Sequence, residues 1–264
     1  MKMNKLTKVA MMGLVAASLA SASASAQNVS TSATDLVLGF QVTSGSGQGS
    51  ASDLEVDLGD FSQFTTGATL TLNQLSAADL VTTYGSNWAT RADLTWGVAG
   101  MSSTTANSFY ATVSGSNPQN SSSLSGPTGD IAPLVGGLGG VTQTANSTKA
   151  GIVAASQGTS WTSEVGLANG QGDFQYFNPT GSTETGYIEQ SGPAGSIDLY
   201  SFSEVGGKAT NKPATELGVF DLSSTGVLTY DGIDAQAVPE PSAYALGICA
   251  VLLFLVLKRR HSVA

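Results

Sequence analysis

The sequence predicts a mainly β protein: a single β-sandwich or jelly-roll-like domain with one or two short helices, flanked by an N-terminal signal peptide and a C-terminal transmembrane helix. Three observations predict it. Short runs that are apolar, or that alternate apolar with polar residues, recur between stretches rich in Gly and Ser. Hydrophobic residues make up 41 % of the 264 residues, enough for a buried core, while charged residues make up only 11 %. Both ends differ in composition from the body, which divides the chain into 1–26, 27–237 and 238–264.

The first element is the leader. Lys2, Lys5 and Lys8 form a basic start, Val9 to Leu19 is largely apolar, and small residues follow to Ala24-Ser25-Ala26 before Gln27. This is the three-part order of a secretory signal peptide, with signal peptidase expected to cut between Ala26 and Gln27. The apolar run is too short to span about 30 Å of hydrocarbon as a permanent anchor.

The body opens with Leu36 to Val42, an apolar strand, then a Gly/Ser-rich loop from Ser44 to Ser52. Leu54, Val56 and Leu58 alternate with Glu55 and Asp57, the period of a strand with one wet face. Ser76 can cap a helix with Asp79 in its first turn and Gly85 beyond its end. Strands are expected at Asp93 to Met101, Phe109 to Val113, Gly186 to Glu189 and Ile197 to Phe202. A second helix is expected to start around Asp130 or Thr159, whereas Ser114 to Gly129 and Pro133 to Gly140 read as loops. Leu217 to Leu222 and Gly226 to Tyr230 form a hairpin around Ser223-Ser224-Thr225. Asp231-Gly232-Ile233-Asp234 reads as a turn.

The last element is Val238-Pro239-Glu240-Pro241, a largely apolar stretch from Ser242 to Leu257, and Lys258-Arg259-Arg260. The basic cluster places this end in the cytoplasm. A segment apolar on every face and closed by adjacent cations does not read as a core helix. Motif, spacing and position resemble the PEP-CTERM sorting signal of exopolysaccharide-producing Gram-negative bacteria, and the resemblance covers residues 238 to about 261. Such tails also carry the label of the C-terminal domain of ice-binding proteins, which describes the tail alone. The resemblance implies export across the inner membrane, a membrane-anchored precursor, recognition by an exosortase near Pro239-Glu240-Pro241, and delivery to the cell surface or extracellular matrix.

The inventory narrows the chemistry. The only Cys and the only His are Cys249 and His261, both in the tail, so residues 27–237 contain neither. Catalysis through a thiol or an imidazole, and zinc sites built from Cys and His, are excluded from the body. Four basic residues face eighteen acidic ones there, a formal charge of −14, which does not fit a nucleic-acid surface. No cofactor motif is present.

What survives is carboxylate chemistry. Asp53, Glu55, Asp57 and Asp60 form the densest acidic cluster. Asp53, Glu55 and Asp57 would share one strand face, read first as a solvated face and otherwise as a Ca²⁺ site. Trp88, Trp96, Trp161, Tyr84, Tyr110, Tyr176 and Tyr187 are core rings or a sugar-stacking platform. The function expected is non-enzymatic, a surface or matrix protein associated with exopolysaccharide. Its alternatives are a carbohydrate- or Ca²⁺-binding adhesin and a carboxylate-based polysaccharide hydrolase.

Overall fold

The computed structural model describes residues 27–102, 108–113, 118, 125–165, 189–203 and 213–233. The expected signal peptide with Ala24 and Ala26, the Val238–Pro241 motif, the 242–257 helix and the Lys258–Arg260 cluster lie outside them. Among the described residues no helix is long and apolar enough to cross a membrane.

Apolar and alternating runs of the body become strands. Among the described residues there are ten strands: β1 (Asp35–Val42), β2 (Ser52–Asp60), β3 (Thr69–Leu72), β4 (Leu94–Met101), β5 (Ser108–Val113), β6 (Ala150–Ala154), β7 (Glu189–Ser191), β8 (Gly195–Ser203), β9 (Thr215–Leu222) and β10 (Leu228–Gly232). They form one curled antiparallel sheet in the order β3-β10-β9-β8-β5-β4-β1-β2-β6. β7 pairs with Thr95–Gly97 of β4, on the edge whose other end β5 occupies.

The inner face is the main core. Leu36, Leu38 and Phe40 of β1, Leu54, Val56 and Leu58 of β2, and Trp96 and Val98 of β4 meet Ile197, Leu199, Phe220, Leu222, Leu228 and Tyr230 from β8, β9 and β10. Phe64, just after β2, lies 5.5 Å from the Phe220 ring and 5.3 Å from the Tyr230 ring. The β1–β2 ladder carries a bulge where Leu36 pairs with Gly59 and Val37 with Asp57, and Gly59 accommodates it with φ of 94°.

Three helices accompany the sheet among the described residues: α1 (Ala77–Tyr84), α2 (Ser125–Leu138) and α3 (Trp161–Glu164). α1 has the predicted caps: the Ser76 side chain accepts from the Ala78 N–H, and Gly85 ends the helix with φ of 93°. Its Tyr84 hydroxyl accepts from the Leu54 N–H at 2.8 Å and donates to the Phe40 carbonyl at 2.9 Å. That hydroxyl thus ties β1 to β2 inside the core.

α2 corrects the reading of Pro133 to Gly140, and of the residues just before Asp130, as loop. Ile131, Leu134, Val135 and Leu138 recur at helical spacing and are buried against Val37, Ala99, Met101, Phe109 and Phe202 on the outer face of the sheet. Burial of that stripe outweighs the poor helix propensity of Pro133, Gly136 and Gly137. α2 and α3 cover β1 from outside, so all eight β1 residues are buried, which explains its apolar, non-alternating sequence. Asp231-Gly232 is also not a turn: it belongs to β10, with Asp231 opposite Thr69 and Val219. β3 and β6 are not among the expected strands: β3 is only four residues long, though its Thr and Leu alternate, and β6 is mostly small residues.

Candidate functional site

β2 presents Asp53, Glu55 and Asp57 to the outer face of the sheet, as the alternation required, but none of them is solvated. Their exposures are 1 %, 0 % and 0 %. This overturns the reading of a wet strand face. The cover comes from far along the chain: α3, its Ser160 cap, and Lys149 just before β6.

Each carboxylate has its own partners. Asp53 accepts from the Thr162 N–H at 2.6 Å and the Thr162 hydroxyl at 2.7 Å. Glu55 Oε1 accepts from the Trp161 N–H at 2.7 Å, while its Oε2 has no hydrogen-bond partner among the described residues. Asp57 pairs with the Lys149 ammonium, which also donates to the Ser30 carbonyl at 3.0 Å. The two leading amides of α3 thus end on two side chains of one strand, and Ser160 caps the Ser163 N–H. Glu55 lies opposite Gly39 on β1 and Gly151 on β6. The Gly39 position makes room for Trp161: a methyl there would sit 1.9 Å from the indole.

Burial dominates the electrostatics. It pushes the Asp53 carboxyl up to about 6, although hydrogen bonds from Thr162 and Ser160 pull the other way. It pushes Glu55 well above the usual carboxylate range against the bond from Trp161, and the nearby Asp53 charge adds to the rise. Asp35, buried beside Asp57, is also raised, chiefly by desolvation. Asp60 behaves oppositely. It caps the short 3₁₀ turn after β2, and bonds from Ser62 and Thr34 hold it below the ordinary range.

As a calcium candidate, Asp53, Glu55 and Asp57 therefore have their oxygens directed at α3, Thr162 and Lys149. Among the described residues no cluster of three or more His, Cys, Asp or Glu is placed to hold a metal ion. Shut from solvent, the same three residues are not disposed to meet a polysaccharide chain in this conformation.

The aromatic candidates are mostly core. Trp88, Trp96, Trp161 and Tyr84 are 0–4 % exposed. Tyr110 is half-buried and stacks on Phe61 at 4.7 Å. Tyr176 and Tyr187 lie outside the described residues.

What the sequence did not single out is the outer face of β3, β10, β9 and β8. The register aligns Thr71, Thr229, Asp221 and Ser196 in one row, and Thr69, Asp231, Val219 and Asp198 in the next. Most of these side chains are exposed. Thr69 donates to Asp231 at 2.9 Å and Ser196 to Asp221 at 2.6 Å. No cation faces these rows among the described residues, where Arg91 is paired with Asp93 and Lys149 with Asp57. The signal was there in Thr-Leu-Thr-Leu and Leu-Thr-Tyr-Asp, but register alone puts the polar positions side by side. No family model, curated protein or solved structure matches the chain.

Proposed function

We propose that this chain is an exported, non-enzymatic cell-surface or extracellular-matrix protein of a Gram-negative bacterium, associated with exopolysaccharide and sorted by an exosortase. The observation that carries this reading is the pairing of a signal peptide ending at Ala26 with Val238-Pro239-Glu240-Pro241, a short apolar run and Lys258-Arg259-Arg260 in one chain. The body suits the role. It lacks Cys and His, and its outer β3–β10–β9–β8 face offers hydroxyl and carboxylate oxygens that can accept hydrogen bonds from sugar hydroxyls. We read the curled sheet as a sandwich-like, jelly-roll-type body, because one apolar cluster joins β1, β2 and β4 to β8, β9 and β10.

The same face favours a second reading, an adhesin whose Thr and Asp rows hold a glycan. Replacing Thr71 and Thr229 by Val would then weaken retention on a neutral polysaccharide column. The sorting proposal is tested by replacing Pro239, Glu240 and Pro241 with Ala in native cells. The expected outcome is a precursor held in the inner membrane fraction; surface delivery at the unaltered level contradicts it.

A further inference from the structure

Gln27 is the residue that cleavage after Ala26 would leave at the N-terminus, and its surroundings suit a specific reaction of an N-terminal glutamine. Such a residue can close on itself. The α-amine nitrogen attacks the side-chain Cδ, the N–Cδ bond forms, the Cδ–Nε2 bond breaks, and the amide nitrogen leaves as ammonia carrying the proton that the amine gives up. No oxidant, reductant or second substrate is needed. The reaction does need a free amine, a free side chain and space for a five-membered lactam.

The cut after Ala26 would supply the amine; the structure supplies the free side chain and the space, while holding the residue in place through other atoms. Gln27 is exposed, and neither its N–H nor its side-chain amide makes a hydrogen bond among the described residues. Its carbonyl, which ring closure leaves untouched, accepts from the Gln143 N–H at 2.9 Å. The next two residues are clamped. Asn28 bridges to Thr142, and its carbonyl accepts from the Gln143 side chain at 3.0 Å. The Val29 N–H donates to the Val141 carbonyl at 2.9 Å, and the Val29 side chain is 2 % exposed in the cluster beneath α2. The reacting groups are thus the free ones at the head of a fixed segment, and cyclisation breaks no bond of the fold.

We propose that Gln27 is a modification site that closes to pyroglutamate in the exported protein, giving a mature chain with a neutral, blocked N-terminus. This rests on the export reading above, through the cut after Ala26. Closure removes the one α-amino charge that would otherwise titrate near pH 8 at the start of the chain. It also denies aminopeptidases the amine they must bind, beside a segment whose loss would unseat Val29.

The test is N-terminal mapping of the protein recovered from native cells, with free amines labelled on the intact protein before digestion, so that cyclisation during handling is not counted. The expected result is an N-terminal peptide that begins at Gln27, is one ammonia lighter than its sequence, and carries no α-amine label. A peptide beginning at Gln27 with a labelled α-amine overturns the modification and leaves export standing. A first residue other than Gln27 overturns the cleavage site and the modification together. As a control, a Gln27→Asn protein, whose side chain would require a strained four-membered ring, is expected to label fully at its first residue. A blocked, ammonia-light N-terminus in that variant would also contradict the mechanism.

Discussion

Asp53→Asn should stabilise the protein at pH 7 and leave it nearly unchanged at pH 4. Asp53 is 1 % exposed and burial raises it from 3.8 to about 6. Between those values the folded chain binds a proton that the unfolded chain releases, so stability falls as pH rises through the window. A rise of that size corresponds to about 3 kcal/mol, all of it lost by pH 7. Glu55 and Asp35, both raised, act in the same direction. Asp93, held at about 2 by Arg91 and Ser44, and Asp60, also lowered, act oppositely but below pH 4, where their stabilisation is lost as acid protonates them. The body has no His to blur the interval. The amide oxygen that D53N introduces can still accept from the Thr162 N–H, so the geometry survives the change. The assay is urea unfolding at fixed pH between 4 and 8, reading midpoints at constant slope. Wild type should lose about 3 kcal/mol or more from pH 4 to pH 7, and D53N should recover about 3 kcal/mol of that at pH 7. A wild-type stability that is level or rises over this range, or a D53N protein destabilised equally at both ends, would show that Asp53 is not protonated in the folded chain at pH 4 to 6.

Three further outcomes follow from the same packing. Gly39→Ala drives a methyl into the Trp161 indole and should cost about 1–3 kcal/mol, with Trp fluorescence shifting as the ring is displaced. Lys149→Met strips Asp57, a fully buried carboxylate, of its cation and should cost about 3–5 kcal/mol by urea unfolding; adding Asp57→Asn should restore much of the loss. Ser76→Ala removes the α1 cap and should lower stability by about 1 kcal/mol, with the spectrum of the folded state unchanged.

Much of the scaffold could be read from the chain because its determinants are local. The α1 boundaries follow from Ser76 and Gly85, and the β9–β10 hairpin follows from two alternating runs around a polar turn. Where cover arrives from a distance, local pattern misleads. Asp53, Glu55 and Asp57 look wet because nothing near them in sequence says that Thr162, Trp161 and Lys149, far along the chain, will close over them. The Gly-rich stretch after Asp130 looks like loop because helix propensity is local, whereas burial of Ile131, Leu134, Val135 and Leu138 is not. The Thr and Asp rows of the outer face exist only through the pairing of β3, β10, β9 and β8, and no single strand announces them.

The most direct measurement is the intact mass and cellular location of the protein made by native cells. The expected result, if the chain is exported and sorted as proposed, is a species outside the inner membrane that has lost residues 1–26 and everything beyond the Pro239-Glu240-Pro241 region. A cytosolic species still bearing Met1 and Ala264 would contradict it.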